Sequence, residues 1–125
     1  MNVSSGSPFE PVIGLSRARR IGPLIAVAGT APIGPDGKAA HPGDVYAQTK
    51  LCLKIACDAI VAAGGAIEHV IRTRVMLVDM AHWQDAARAH GEVFAAIRPA
   101  CTFVEVSRFI DPAWLVEVEL DAYIE

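Results

Sequence analysis

Val116-Glu117-Val118-Glu119-Leu120-Asp121-Ala122-Tyr123-Ile124 alternates with period two from end to end. Val116, Val118, Leu120, Ala122 and Ile124 share one face, and Glu117, Glu119, Asp121 and Tyr123 share the other. Successive side chains of a strand point to opposite sides, so the pattern predicts a strand over 115–124 with one side on a core and three carboxylates on the other. Such a strand needs neighbours, and the segments before it supply them.

Cys101 to Val106 reads as a strand, joined to the last one through a turn at Asp111-Pro112, and the two are expected to pair antiparallel. Further back, Ile71, Thr73, Val75 and Leu77 alternate with Arg72, Arg74, Met76 and Val78, again a strand with one apolar face. Between these strands Asp79 is placed to cap a helix. Trp83, Ala86, Ala87, His90, Phe94 and Ile97 recur at spacings of three and four on one side of it, before Pro99 ends it. A longer helix starts at the N-cap Asp44, with Leu51, Cys52, Ile55, Ala56, Ala59, Ile60 and Ala63 as its stripe, and stops at Gly64-Gly65.

Nearer the start, Arg17 to Arg20, Gly22-Pro23 and Leu24 to Ala28 predict a hairpin whose second strand ends at Gly29. Pro35-Asp36-Gly37 marks a turn in the loop that follows. Residues 1–10, rich in Ser, Gly and Pro, read as a loose leader, and 11–125 as a single domain. The order β-β-α-β-α-β-β defines an α+β fold: a mixed, mainly antiparallel sheet with two helices on one face. The other face then requires water, a ligand or a partner subunit.

Composition narrows the function classes. A chain of 125 residues that is 53% hydrophobic and 20% charged is globular rather than disordered. Its net charge of −3 argues against nucleic acid, whose binders carry a basic stripe, and only Arg17, Arg19 and Arg20 cluster. No apolar run reaches the roughly 20 residues of a membrane span, and the N-terminus lacks a signal-like apolar stretch, so a cytoplasmic protein without membrane association is expected. Three cysteines, with Cys52 and Cys57 inside a helix stripe, suggest core thiols rather than a disulfide framework. His41, His69 and His82 are scattered without metal-ligand spacing, and no metal is expected.

Three groups of residues invite a chemical role, each with a plainer alternative. Glu117, Glu119 and Asp121 are a solvated face, or one of them, sheltered, orients or deprotonates a water. Cys101 is a small buried thiol, or a nucleophile if a base or positive field stabilises its thiolate. His90 is a packed, hydrogen-bonded ring, or a ligand contact.

Four segments together resemble the RidA family, also called YjgF or L-PSP. They are Val27-Ala28-Gly29-Thr30-Ala31-Pro32, Asp44-Val45-Tyr46-Ala47-Gln48-Thr49, Pro99-Ala100-Cys101-Thr102-Phe103-Val104-Glu105-Val106 and Val116-Glu117-Val118-Glu119, in order within a match from about Ile13 to Glu125. The resemblance implies a chorismate-mutase-like fold assembled as a homotrimer, with a small-molecule cleft between each pair of neighbouring subunits. It further implies hydrolysis of enamines or imines such as 2-aminoacrylate to a 2-keto acid and ammonia, without a cofactor.

Carried over by position, the family glutamate that places the attacking water falls on Glu117, and the backbone beside the substrate on Gly29 and Thr30. The arginine of the family's Pro-Ala-Arg motif, which grips a substrate carboxylate through two parallel charge-assisted bonds, is replaced by Cys101. Ser16 stands in place of a common tyrosine, Ala87 of an asparagine and His90 of an aromatic, so the cleft is rebuilt at several points.

The leading expectation is therefore a trimer that binds a small imine, enamine or carbonyl metabolite, with Glu117 catalytic and Cys101, Gly29, Thr30, Ser16, Ala87 and His90 lining the cleft. The alternatives are a non-catalytic ligand-sensing or chaperone-like trimer, and thiol chemistry at Cys101. An endoribonuclease finds no support in an acidic chain without base-stacking aromatics.

Overall fold

Burial of the two alternating strands organises everything else. The computed structural model describes residues 1–125. It contains β1 (Asn2–Val3), α1 (Glu10–Ile13), β2 (Ala18–Ile21), β3 (Leu24–Thr30), α2 (Val45–Ala62), β4 (Val70–Leu77), α3 (Trp83–Phe94), β5 (Ala100–Glu105) and β6 (Val116–Tyr123), with short 3-10 turns at Ile67–His69 and Met80–His82. The six strands form one sheet in the order β1-β2-β3-β6-β4-β5, antiparallel except for β4 and β5.

Strand β6 takes a central place because its inward set is complete: Val116, Val118, Leu120 and Ala122 are at most 1% exposed. It pairs with β3 on one side and β4 on the other. The expected antiparallel pairing of Cys101 to Val106 with the last strand is thus overturned. β5 runs parallel to β4 at the sheet edge, joined to it through α3 as a crossover unit. Its small and polar Ala100, Cys101 and Thr102 suit an edge, whereas the fully apolar side of β6 gains more from two neighbours.

Helices α2 and α3 pack together over the same sheet face. Asp44 caps α2 through Ala47 N–H at 3.0 Å. Gln48 of α2 is fully buried: its amide donates to Ala40 O (3.1 Å) and Ala113 O (3.0 Å), while its carbonyl accepts Leu115 N–H (2.9 Å). Those bonds tie the loop before the helix to the entrance of β6. Cys52 is buried as expected, its thiol pushed well above its usual value by desolvation. Cys57, read as core, is only half-buried at the outer edge of α2, where burial and Asp58 raise its thiol to about 11.

Two bulges correct the simple alternation. In β3, Ala28 and Gly29 together oppose Glu119, so Gly29 does not end the strand; it lies inside it, and Thr30 turns inward three residues after Val27. In β4 an irregularity between Val70 and Arg72 turns Val70 inward and leaves Ile71 exposed, contrary to its expected place on the apolar face. The first ten residues are not a loose leader. Asn2 and Val3 pair with Arg19 and Ala18, and the Glu10 carboxylate accepts hydrogen bonds from Ser4 Oγ (2.8 Å), Ser5 N–H (2.7 Å) and Ser5 Oγ. Those donors hold Glu10 down at about 2. Residues that discourage helix in the leader here act as local hydrogen-bond donors.

Candidate functional site

The open face of the sheet carries the acids. Arg72 lies 4.0 Å from Asp121 and Arg74 lies 3.1 Å from Glu119, both across the β4–β6 pair. Glu117 is opposite Met76 and makes no ion pair within 4.0 Å. Of the three carboxylates, it alone keeps its charge uncommitted. Burial pushes its carboxyl above the usual range; Arg17 opposes that rise and Glu119 adds to it.

Glu117 meets the β3 bulge. A Cβ on Gly29 would stand 3.3 Å from Glu117 Oε1, so the absent side chain lets the carboxylate lie against the Gly29 backbone. Thr30, the next residue, is buried on the helix side of the sheet in register with Val118, its hydroxyl donating to Ala28 O at 2.8 Å. From the far side comes Arg17, whose Nη2 donates to Gly29 O. Desolvation lowers the Arg17 guanidinium, with Glu117 and Glu10 pulling the other way. Of the residues expected at the site, Glu117 and Gly29 are therefore adjacent on the open side, while the Thr30 side chain lies on the opposite face of the sheet.

Arg17 was hidden in the arginine cluster, which the fold divides. Arg19 and Ile21 share the open side of β2, whereas Arg20 reaches toward the helices and donates to Ala63 O at 2.8 Å. Period-two counting from Arg17 to Arg19 to Ile21 is the signal that separates them.

A second group forms elsewhere. His90 of α3 shares a 2.8 Å hydrogen bond between Nε2 and Thr73 Oγ1, its ring lying 4.8 Å from that of Phe94 and 6.3 Å from that of Phe103. Burial lowers the His90 imidazole, which favours the neutral ring. Cys101 is in register with Thr73 and is exposed, contrary to the buried-thiol expectation. Neighbours in parallel register share a face, so Cys101 belongs to the helix side of the sheet and Glu117 to the open side. Ala87 lies on α3, one turn before His90, and Ser16 directly precedes Arg17 at the entry to β2.

A groove of about 620 Å³ lies along the outer side of α2 between Tyr46, Lys50, Leu53, Cys57, Ile67 and Val93. It contains none of the residues above. No three His, Cys, Asp or Glu side chains are grouped to hold a metal ion.

The family model described as Endoribonuclease L-PSP matches residues 6–124. The chain belongs to the YjgF/RidA family. An uncharacterised protein of Streptomyces coelicolor is 43% identical over 97% of this chain and 90% of its own length. A RutC family protein of Pyrococcus abyssi is 32% identical over 93% and 91%. Among solved structures, Rv2704 of Mycobacterium tuberculosis, a member of the YjgF/YER057c/UK114 family, superposes with a TM-score of 0.89 at 42% identity, covering 99% of this chain and 98% of that one. The RidA fold expected from the four motifs is thus the fold of this chain, with the β3 bulge and the Glu117 strand adjacent in its sheet. No helix of this RidA-family chain is long and apolar enough to cross a membrane.

Proposed function

We propose that the protein works as a homotrimer whose inter-subunit clefts bind a small imine, enamine or carbonyl metabolite, and that Glu117 activates water to hydrolyse it. The observation that carries this reading is the state of Glu117: half-buried, unpaired, and set against the Gly29 backbone where neighbouring acids are neutralised by Arg72 and Arg74. A carboxylate raised toward neutrality by burial is suited to move a proton. In the reaction, Glu117 takes a proton from water as its oxygen adds to the imine carbon. Glu117 returns that proton to the nitrogen, giving a carbinolamine; the proton of its hydroxyl then passes to the nitrogen as the C–N bond breaks, and a carbonyl compound and ammonia leave.

The cleft is assigned to a subunit boundary for a geometric reason. Cys101 and Glu117 lie on opposite sheet faces, with β4 between their strands. At about 4.8 Å per strand spacing, one protomer cannot turn both toward one small ligand. A cleft shared by the edge strand of one copy and the open face of the next brings the two into reach. Ile21, Leu24 and Tyr123, 65%, 50% and 47% exposed on that open face, are suited to cover by a neighbour.

A thiol at position 101 cannot make the two parallel charge-assisted bonds of a guanidinium, so a carboxylate-bearing substrate such as 2-aminoacrylate is a poor one here. The same substitution favours the second reading, a trimer that binds a metabolite without turning it over. Release of 2-keto acid and ammonia from freshly generated 2-aminoacrylate and 2-iminobutyrate separates the two, comparing wild type, Cys101→Arg and Glu117→Ala. Turnover in wild type that is lost in Glu117→Ala supports hydrolysis. Binding without product in every variant supports the second reading. Light scattering gives three times 13.3 kDa if the cleft exists, and a monomer defeats both readings.

A further inference from the structure

We propose that Arg17 is a positioning residue for Glu117: tied to the Gly29 carbonyl, its guanidinium holds the β3 bulge against the carboxylate and supplies the opposing positive charge. The inference rests on the reading of Glu117 as the working carboxylate.

Both groups converge on one glycine. Arg17 Nη2 donates to Gly29 O, while Glu117 Oε1 lies 3.3 Å from where a Gly29 Cβ would stand. The backbone of Arg17 is itself pinned on both sides, its N–H donating to Val3 O at 2.8 Å and its carbonyl accepting Ala28 N–H at 3.0 Å. The guanidinium therefore approaches from a framework that the bulge and the first strand share. It forms no ion pair with Glu117 within 4.0 Å, so it acts on the carboxylate through its field and leaves the carboxylate oxygens to water or substrate.

Arg17 Nε is buried without a hydrogen-bond partner. An unpaired buried donor is a cost that a purely structural tie, which needs only Nη2, would not require. An arginine kept there despite that cost fits a role for its charge. The other charged groups around Glu117 do not replace it. Glu119 on the same strand is negative and held by Arg74; Met76, its partner on β4, is neutral; Cys52 beneath it stays a thiol; and Glu10, which faces Arg17, adds further negative charge.

The test is a pH titration of the Glu117 side-chain carboxyl by carbon-detected NMR on the full chain, its resonance assigned by its loss in Glu117→Gln. Wild type is compared with Arg17→Met, Arg17→Gln and Arg17→Lys. Arg17→Met and Arg17→Gln are expected to raise the midpoint by about 1 pH unit, a roughly tenfold change in proton affinity, and Arg17→Lys to restore most of it. Glutamine retains a donor for Gly29 O without charge, so it separates the charge from the tie and serves if the methionine variant does not fold.

A Glu117 midpoint equal in wild type and Arg17→Gln overturns the proposal. So does a shift in Arg17→Lys as large as in Arg17→Gln. Where the chain turns over an imine, the acid limb of kcat/KM moves up with the same midpoint while KM changes little. A chain without turnover defeats the hydrolase reading and leaves the titration to decide the role of Arg17.

Discussion

Glu117 and Cys101 lie two strands apart and differ in how complete their surroundings are. Around Glu117 a single chain supplies a bulge, a glycine and an arginine. Around Cys101 it supplies one side only. Thr73 and His90 are hydrogen-bonded beneath it, but β5 has a strand on one flank and none on the other. A centre built from adjacent central strands is preorganised by the core, while a centre on an edge strand depends on whatever meets that edge.

The comparison breaks most sharply at Glu117. On the function proposed above, Glu117→Gln, which keeps the shape without the carboxylate, is expected to reduce imine hydrolysis by about 10²- to 10⁴-fold, measured as ammonia release. Retained activity would transfer the chemistry to the Cys101 side. The next effect belongs to that side. Cys101→Arg adds a guanidinium able to form hydrogen bonds worth about 1.5 to 3 kcal/mol each to a carboxylate, so KM for 2-iminobutyrate is expected to fall by roughly tenfold or more. An unchanged KM would show that the Cys101 edge does not face the ligand.

Two smaller effects sharpen the contrast. Thr73→Val leaves the half-buried His90 Nε2 without its partner, at a cost of about 1 kcal/mol in urea unfolding. His90 also imposes a pH dependence. Its folded value is lowered, so the unfolded chain binds the proton first, and stability falls as pH drops below the ordinary value of 6.5. His90→Phe is expected to flatten that part of the stability curve. The smallest effect is expected from Arg74→Ala: the exposed Arg74–Glu119 pair contributes about 0 to 1 kcal/mol, and Glu117 keeps its titration. A large shift of Glu117 in that variant would mean that the open-face charges act as one network.

Much of the fold was legible because burial writes a period into the chain. The stripe from Leu51 to Ala63, the Asp44 cap and the alternation at 116–124 each correspond to an element within a residue or two. Local regularity is also where the chain departs from its own pattern. Strict alternation places Ile71 inward and the glycine marks Gly29 as a strand end, but each strand carries an irregularity that shifts its phase. Sequence adjacency likewise suggested pairing the last two strands, when β6 instead enters the middle of the sheet. The neighbourhood of Gly29 and Glu117 rests on a strand pairing that spacing alone does not encode, and Arg17 is indistinguishable in the sequence from the other two clustered arginines.

The sequence alone determined the inward set of the last strand, where the longer helix begins and ends, and that one sheet face carries alternating acids, because these follow from local spacing and from the cost of leaving apolar surface in water. Only the tertiary structure decided which acid stays unpaired. Glu119 and Asp121 found arginines because the β4–β6 register set Arg74 and Arg72 opposite them, and the same register set Met76 opposite Glu117. That outcome depends on how strands distant in sequence align, and no spacing within a single strand encodes it.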